Sequence, residues 1–200
     1  MPHAAHPNRP PDIPALLDAL DRHGVRYVLV GSVAAQVYGV DTGRPGDFDI
    51  TPALDPGNLR RLADLLVEIE AGLDPDEPFG HWEVQADGER KWAADEATPE
   101  RVAERANWRP DPEDPDTFDH LFRSRLGNFD VVPDLSGTYD TLVKRAVPMT
   151  AHGHDILVVH IDELLAALTL PRRPKDVPRV RQLREIQRRR GEEERSRAGE

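Results

Sequence analysis

The 200 residues carry 26 Lys and Arg against 37 Asp and Glu, a formal net charge of −11, and no cysteine. This excludes disulfides and thiolate metal sites and argues against a surface that binds nucleic acid all over. No run approaches the roughly 18 apolar residues of a membrane span, and "MPHAAHPNRPPDIP" lacks the basic start and apolar core of a secretory signal, so a cytoplasmic protein with no membrane partner is expected.

In chain order, Ile13, Leu16, Leu17 and Leu20 recur at helical spacing and Gly24 closes that helix. "RYVLVGS" reads as a short buried strand, "VAAQVYG" as a brief helix ended by Gly39, and "DFDITPA" as a second strand. Asp55-Pro56 opens a helix whose apolar stripe is Leu59, Leu62, Leu65, Leu66 and Ile69. Residues 72–116 are rich in Pro, Asp and Glu around Trp82, Trp92 and Trp108, with a strand predicted near "HWEVQ" and a helix near "PERVAERA". Two strand-like runs then flank "RLGN", a hairpin turn. In the second run Phe129 and Val131 share one face, and Asn128, Asp130 and Val132 the other. A helix around "TYDTLVKRA", a strand at "DILVVHI", a helix at "DELLAAL" and a basic helix after Pro178 complete the chain. "HGH" at 152–154 reads as a hairpin turn rather than a metal site.

The predicted organisation is a flexible arm over 1–12, one domain over 13–170, a basic helical segment over 171–190 and a disordered tail over 191–200. Residues 171–190 hold nine basic residues against two acidic ones, so this stretch is +7 and the other 180 residues carry −18. Such a stretch is either a solvated helix or a contact for a phosphate backbone.

The chemistry concentrates in "GSVAAQVYGVDTGRPGDFDI", residues 31–50. On a strand, Asp47 and Asp49 point to one face while Phe48 and Ile50 point to a core. If the strand with Asp130 lies alongside, three carboxylates converge. They repel unless one takes a proton or a cation intervenes. Mg2+ prefers oxygen ligands and bridges carboxylates to phosphates, and a pair of such ions can hold the attacking and leaving oxygens of a phosphoryl transfer. The Gly31-Ser32 turn offers N–H groups and a hydroxyl suited to a triphosphate. A P-loop pattern and a nucleophile elbow are both absent around Gly31.

"YVLVGSVAAQVYGV…RPGDFDI" resembles the opening motif of the DNA polymerase β-like nucleotidyltransferase superfamily, and is similar more narrowly to the AbiEii-type (type IV toxin) and related small bacterial nucleotidyltransferases. "GNFDVV" resembles the strand of the third carboxylate, and "RRPKD" at 172–176 the late Arg-x-Lys-Asp motif. The resemblance covers roughly residues 13–185. It implies an α/β nucleotidyltransferase fold, a mixed sheet flanked by helices with a helical C-terminal part. It implies a Mg2+-dependent transfer of a nucleoside monophosphate from an NTP to an acceptor hydroxyl. Asp47, Asp49 and Asp130 would hold metal, Gly31 and Ser32 the β and γ phosphates, and Arg44, Arg173 and Lys175 the phosphate charge. Asp176 would orient a cation or bear on catalysis. The family's lysine on the preceding helix is replaced here by Leu168, and Arg172, Arg173 or Lys175 could supply that charge instead. The basic tail and the toxin relatives imply tRNA or another RNA as acceptor, and a cognate antitoxin as partner. Two alternatives stand beside this: a small-molecule (aminoglycoside-like) acceptor, suited to the acidic rims "DPDEPFG" and "PDPEDPD", and a catalytically degenerate nucleotide- or RNA-binding module.

Overall fold

Helix starts in this computed structural model follow the caps carried by the sequence; the structure describes residues 6–85, 90–134, 137–168 and 176–198. Asp12 accepts from the Ala15 amide and opens α1 (Ile13–His23), which Gly24 ends in the left-handed conformation at φ 63°. β1 (Tyr27–Leu29), α2 (Gly31–Val37) and β2 (Phe48–Pro52) follow. Asp55 caps α3 (Pro56–Glu68) by accepting from the Asn58 amide. Next come β3 (Gly72–Leu73), the hairpin β4 (Gly80–Val84) and β5 (Arg90–Ala94), and α4 (Pro99–Ala106) with Thr98 as its cap. A 3-10 turn at Pro115–Phe118 leads to β6 (Leu121–Ser124) and β7 (Gly127–Val131). The chain continues through α5 (Tyr139–Leu142), β8 (Val147–Ala151), β9 (His154–Val158), α6 (Ile161–Ala167) and α7 (Asp176–Ala198).

The protein is α/β. Seven strands form one mixed sheet in the order β3-β6-β7-β2-β1-β9-β8, and β4-β5 stand apart as a two-stranded ribbon. The pairs β2–β7 and β1–β9 are parallel, the others antiparallel. Phe48, Ile50, Phe129 and Val131 are fully buried, in one core with Leu16, Leu20, Leu59, Leu62 and Leu65 of α1 and α3. Full burial of such side chains supplies about 1.5–3 kcal/mol each. It also fixes which way the alternate residues of β2 and β7 must face.

Several expectations change. Residues 8–12, placed in a flexible arm, lie along the β6–β7 hairpin: the Asn128 amide donates to the Arg9 carbonyl (3.1 Å) and the Asp12 amide to the Leu126 carbonyl (2.8 Å). Gly127 admits this contact because a Cβ there would stand 2.4 Å from the Pro10 carbonyl oxygen. The basic helix starts at Asp176 and runs to Ala198, so residues 191–198 continue it instead of forming a tail. It packs on α6 and buries Leu183 completely. Strands β3, β5 and β8 were not expected from the sequence, and the helix expected around "TYDTLVKRA" is a single turn. β8 carries Pro148 and alternates half-buried with exposed positions, as an edge strand does. Among the described residues no helix is long and apolar enough to cross a membrane.

Candidate active site

The centre of the sheet brings three acidic residues together. β2 and β7 pair in parallel with Asp49 opposite Asp130, and with their neighbours Phe48, Ile50, Phe129 and Val131 locked in the core, both carboxylates leave on the opposite face. β2 begins at Phe48, so Asp47 stands just before the strand instead of on it. There the Asn128 side-chain amide donates to the Gly46 carbonyl (2.9 Å), which fastens the chain where the ladder ends. The carboxylate oxygens of Asp47, Asp49 and Asp130 lie within 4.8 Å of one another, all three residues half-buried.

Gly31 and Ser32 abut this cluster. The Val30 amide donates to the Asp49 carbonyl (3.1 Å), setting the first turn of α2 against β2. Gly31 has φ 65°, and a Cβ there would stand 2.2 Å from Asp49 Oδ2. No other residue fits both the backbone and the carboxylate. Ser32 Oγ is buried without a hydrogen-bond partner among the described residues, an unusual state for a hydroxyl and one that a ligand oxygen would relieve.

Electrostatics mark Asp130. Burial first, and then Asp47, Glu77 and Asp119, raise its carboxyl to about 7, against a lowering by His120. His120 sits just ahead of β6, where its carbonyl accepts from the Val131 amide (3.2 Å) and its Nδ1 lies 3.4 Å from Glu77 Oε2. Glu77, Asp119 and His120 also line a cavity of about 500 Å3 with Phe79, Arg105 and Trp108. Sequence reasoning assigned none of these three a role, because they come from irregular loops; the acidic composition of "DPDEPFG" was the one signal.

Three oxygen donors drawn together just before β2, on β2 and on β7, one of them driven toward protonation by burial and by Asp47, suit a hard divalent cation such as Mg2+. The remaining expected residues are placed differently. Arg44 is exposed and lines a separate cavity with Arg9, Arg125 and His152. Asp176 is 3 % exposed at the start of α7, paired with Arg179 (3.5 Å), whose guanidinium also donates to the Thr42 carbonyl (3.0 Å). Leu168 ends α6, partly buried against the core. Arg172, Arg173 and Lys175 lie outside the described residues, as do the side chains of Trp82 and Trp92. Trp108 packs at a tilt against Phe122, with ring centres 4.9 Å apart, and donates to the Thr117 carbonyl (3.1 Å), which occupies it structurally.

No protein-family model matches this chain, and no curated protein is found to be similar to it.

Proposed function

We propose that this chain is a nucleotidyltransferase that moves a nucleoside monophosphate from an NTP to an acceptor hydroxyl and releases pyrophosphate. The observation that carries the reading is the meeting of Asp47, Asp49 and Asp130 within 4.8 Å, next to a glycine at which a Cβ would stand 2.2 Å from Asp49 Oδ2. Asp47, Asp49 and Asp130 would hold Mg2+, which when bound supplies positive charge to the triphosphate and the departing pyrophosphate. Gly31 leaves room at Asp49, and the Ser32 hydroxyl donates to a phosphate oxygen. Asp130, with Glu77 and His120 behind it, faces the side from which the acceptor enters. There it orients the hydroxyl and accepts its proton as that oxygen forms the new bond to the α-phosphorus and the bond to pyrophosphate breaks.

An RNA acceptor is supported by the resemblance and by the basic α7; an antitoxin partner rests on the resemblance alone. A small-molecule acceptor has an observation of its own: the cavity of about 500 Å3 lined by Glu77, Asp119 and His120, three residues whose charges act on Asp130, falls in the size range of small-molecule sites.

The test is a transfer assay with Mg2+, each of four labelled NTPs and either total tRNA or an amino-polyol, with Asp49→Ala alongside. Label on an acceptor with wild type and none with Asp49→Ala is expected. Equal labelling by both proteins, or none by wild type with any acceptor, counts against the reading.

A further inference from the structure

A second cavity, also of about 500 Å3, opens where the N-terminal arm meets α1 and the β6–β7 turn. Four cationic or titratable donors reach its wall from four separate parts of the chain: Arg9 of the arm, Arg44 of the loop before Asp47, Arg125 of the β6–β7 turn and His152 of the β8–β9 turn. Asp12 is the one acidic residue on the wall, and its carboxylate is engaged as the cap of α1, 3.2 Å from the Ala15 amide. Arg125 is held by Glu68, through its backbone carbonyl (3.1 Å) and its carboxylate (3.4 Å). Among the described residues, no hydrogen bond or ion pair engages the guanidinium of Arg9 or of Arg44. In a chain of net charge −11, Arg9 and Arg44, which have no partner among the described residues, form with Arg125 a local positive field that the rest of the surface opposes.

We propose that this cavity is an anion site that takes phosphate groups, separate from the three carboxylates and independent of the transfer reading. Guanidinium forks match phosphate oxygens in geometry and charge, and two of the three are unspent. The arm is a structural part of the site. It is pinned by the Asn128 side chain, which donates to Asn8 Oδ1 (2.9 Å) as well as to the Gly46 carbonyl, and whose own Oδ1 accepts from the Arg9 amide (3.4 Å). One asparagine thus ties Arg9 to the segment between Arg44 and Asp47. The phosphate source is either a free polyphosphate or the phosphodiester of a strand, and the chemistry of the site is common to both.

The experiment is titration calorimetry on the full chain in EDTA, which removes any cation that would bridge phosphate to the Asp49 cluster, with inorganic tripolyphosphate and a 12-residue oligoribonucleotide as probes. Wild type and Asp49→Ala should bind at least one probe alike. The double variant Arg9→Gln/Arg44→Gln should bind at least about tenfold more weakly, with its melting temperature unchanged because neither guanidinium is used in the fold. Gly127→Ala should weaken binding as well, by unseating the arm. If three contacts hold the oligonucleotide, raising salt from 50 to 200 mM should cost it roughly 20-fold. Tighter binding of the oligonucleotide assigns the site to a phosphodiester, and tighter binding of tripolyphosphate assigns it to a free anion. Absence of binding by wild type to both probes, or equal affinity of the double variant, overturns the proposal.

Discussion

Gly31 and Asp130 make opposite demands on the same few ångströms. At Gly31 the positive φ and the Asp49 carboxylate 2.2 Å from a would-be Cβ exclude any side chain. Gly31→Ala is therefore expected to cost about 1–3 kcal/mol in chemical denaturation and to abolish transfer by displacing Asp49; a variant as stable and as active as wild type would contradict the packing. At Asp130 the demand is for charge relief. Burial, then Asp47, Glu77 and Asp119, raise its carboxyl from 3.8 to about 7, with His120 opposing and Asp49 opposite it in the ladder. A group whose folded value is raised contributes stability that is present below the unfolded value, near pH 4, and lost as pH rises through the folded value. Without metal, the fold should lose on the order of 4 kcal/mol from this residue between about pH 4 and pH 8. Asp130→Asn removes that loss. It should melt higher than wild type at pH 8 in EDTA and near wild type at pH 4.5, and the reverse order at pH 8 would show that Asp130 is not strained.

At the scale of elements, α7 does more than present basic residues to solvent. Its first two turns hold the loop that delivers Asp47: Arg179 bridges buried Asp176 to the Thr42 carbonyl, and Gln182 Oε1 accepts from the Asp41 amide (2.9 Å). Removing one member of a buried pair is costly because the partner's charge stays behind. Arg179→Gln should destabilise by about 2–3 kcal/mol and slow transfer through a looser Asp47. Arg181→Gln, exposed on the same helix, should shift stability by no more than about 0.5 kcal/mol. Urea titrations of the pair decide it, and equal losses would mean that α7 is stabilised without its anchor on the loop. The sequence let β2, β7 and their carboxylates be read because each carries a period-2 alternation of Phe, Ile or Val with Asp, and that alternation has only one solution once a core exists. It announced Gly31 because a glycine between a strand and a helix signals a backbone constraint. It could not announce Glu77, Asp119 and His120, which reach Asp130 from loops with no period. Nor could it announce the buried pair of Arg123 with Asp74 (2.6 Å) that pins the 74–77 loop to β6; long-range pairing of this kind has no local signature. The tail was misjudged for a related reason: residues 191–198 have weak apolar patterning, and their helix is propagated from the anchored end at Asp176, Arg179 and Leu183.

For the whole molecule, the distribution of charge decides what metal should do. The acidic body concentrates three half-buried carboxylates on and just before the central strands of a seven-stranded sheet, so a cation bound there acts on the core of the fold. Binding to the native state alone stabilises by about 2.7 kcal/mol when the free ion is a hundred times its dissociation constant. For a chain of this length that is a rise of roughly 5–10 °C in melting temperature. The rise should be larger at pH 8 than at pH 5.5, because at the lower pH Asp130 keeps its proton and the ion must displace it. Asp49→Asn should lose most of the rise at both pH values, whereas Arg44→Gln, on the separate cavity, should keep it. Calorimetric scans with Mg2+ and with EDTA read all four conditions. A shift of equal size in Asp49→Asn would mean that magnesium acts through general screening of an acidic surface. A shift lost in Asp49→Asn and kept in Arg44→Gln would localise the ion to the meeting of β2 and β7 before any acceptor is known.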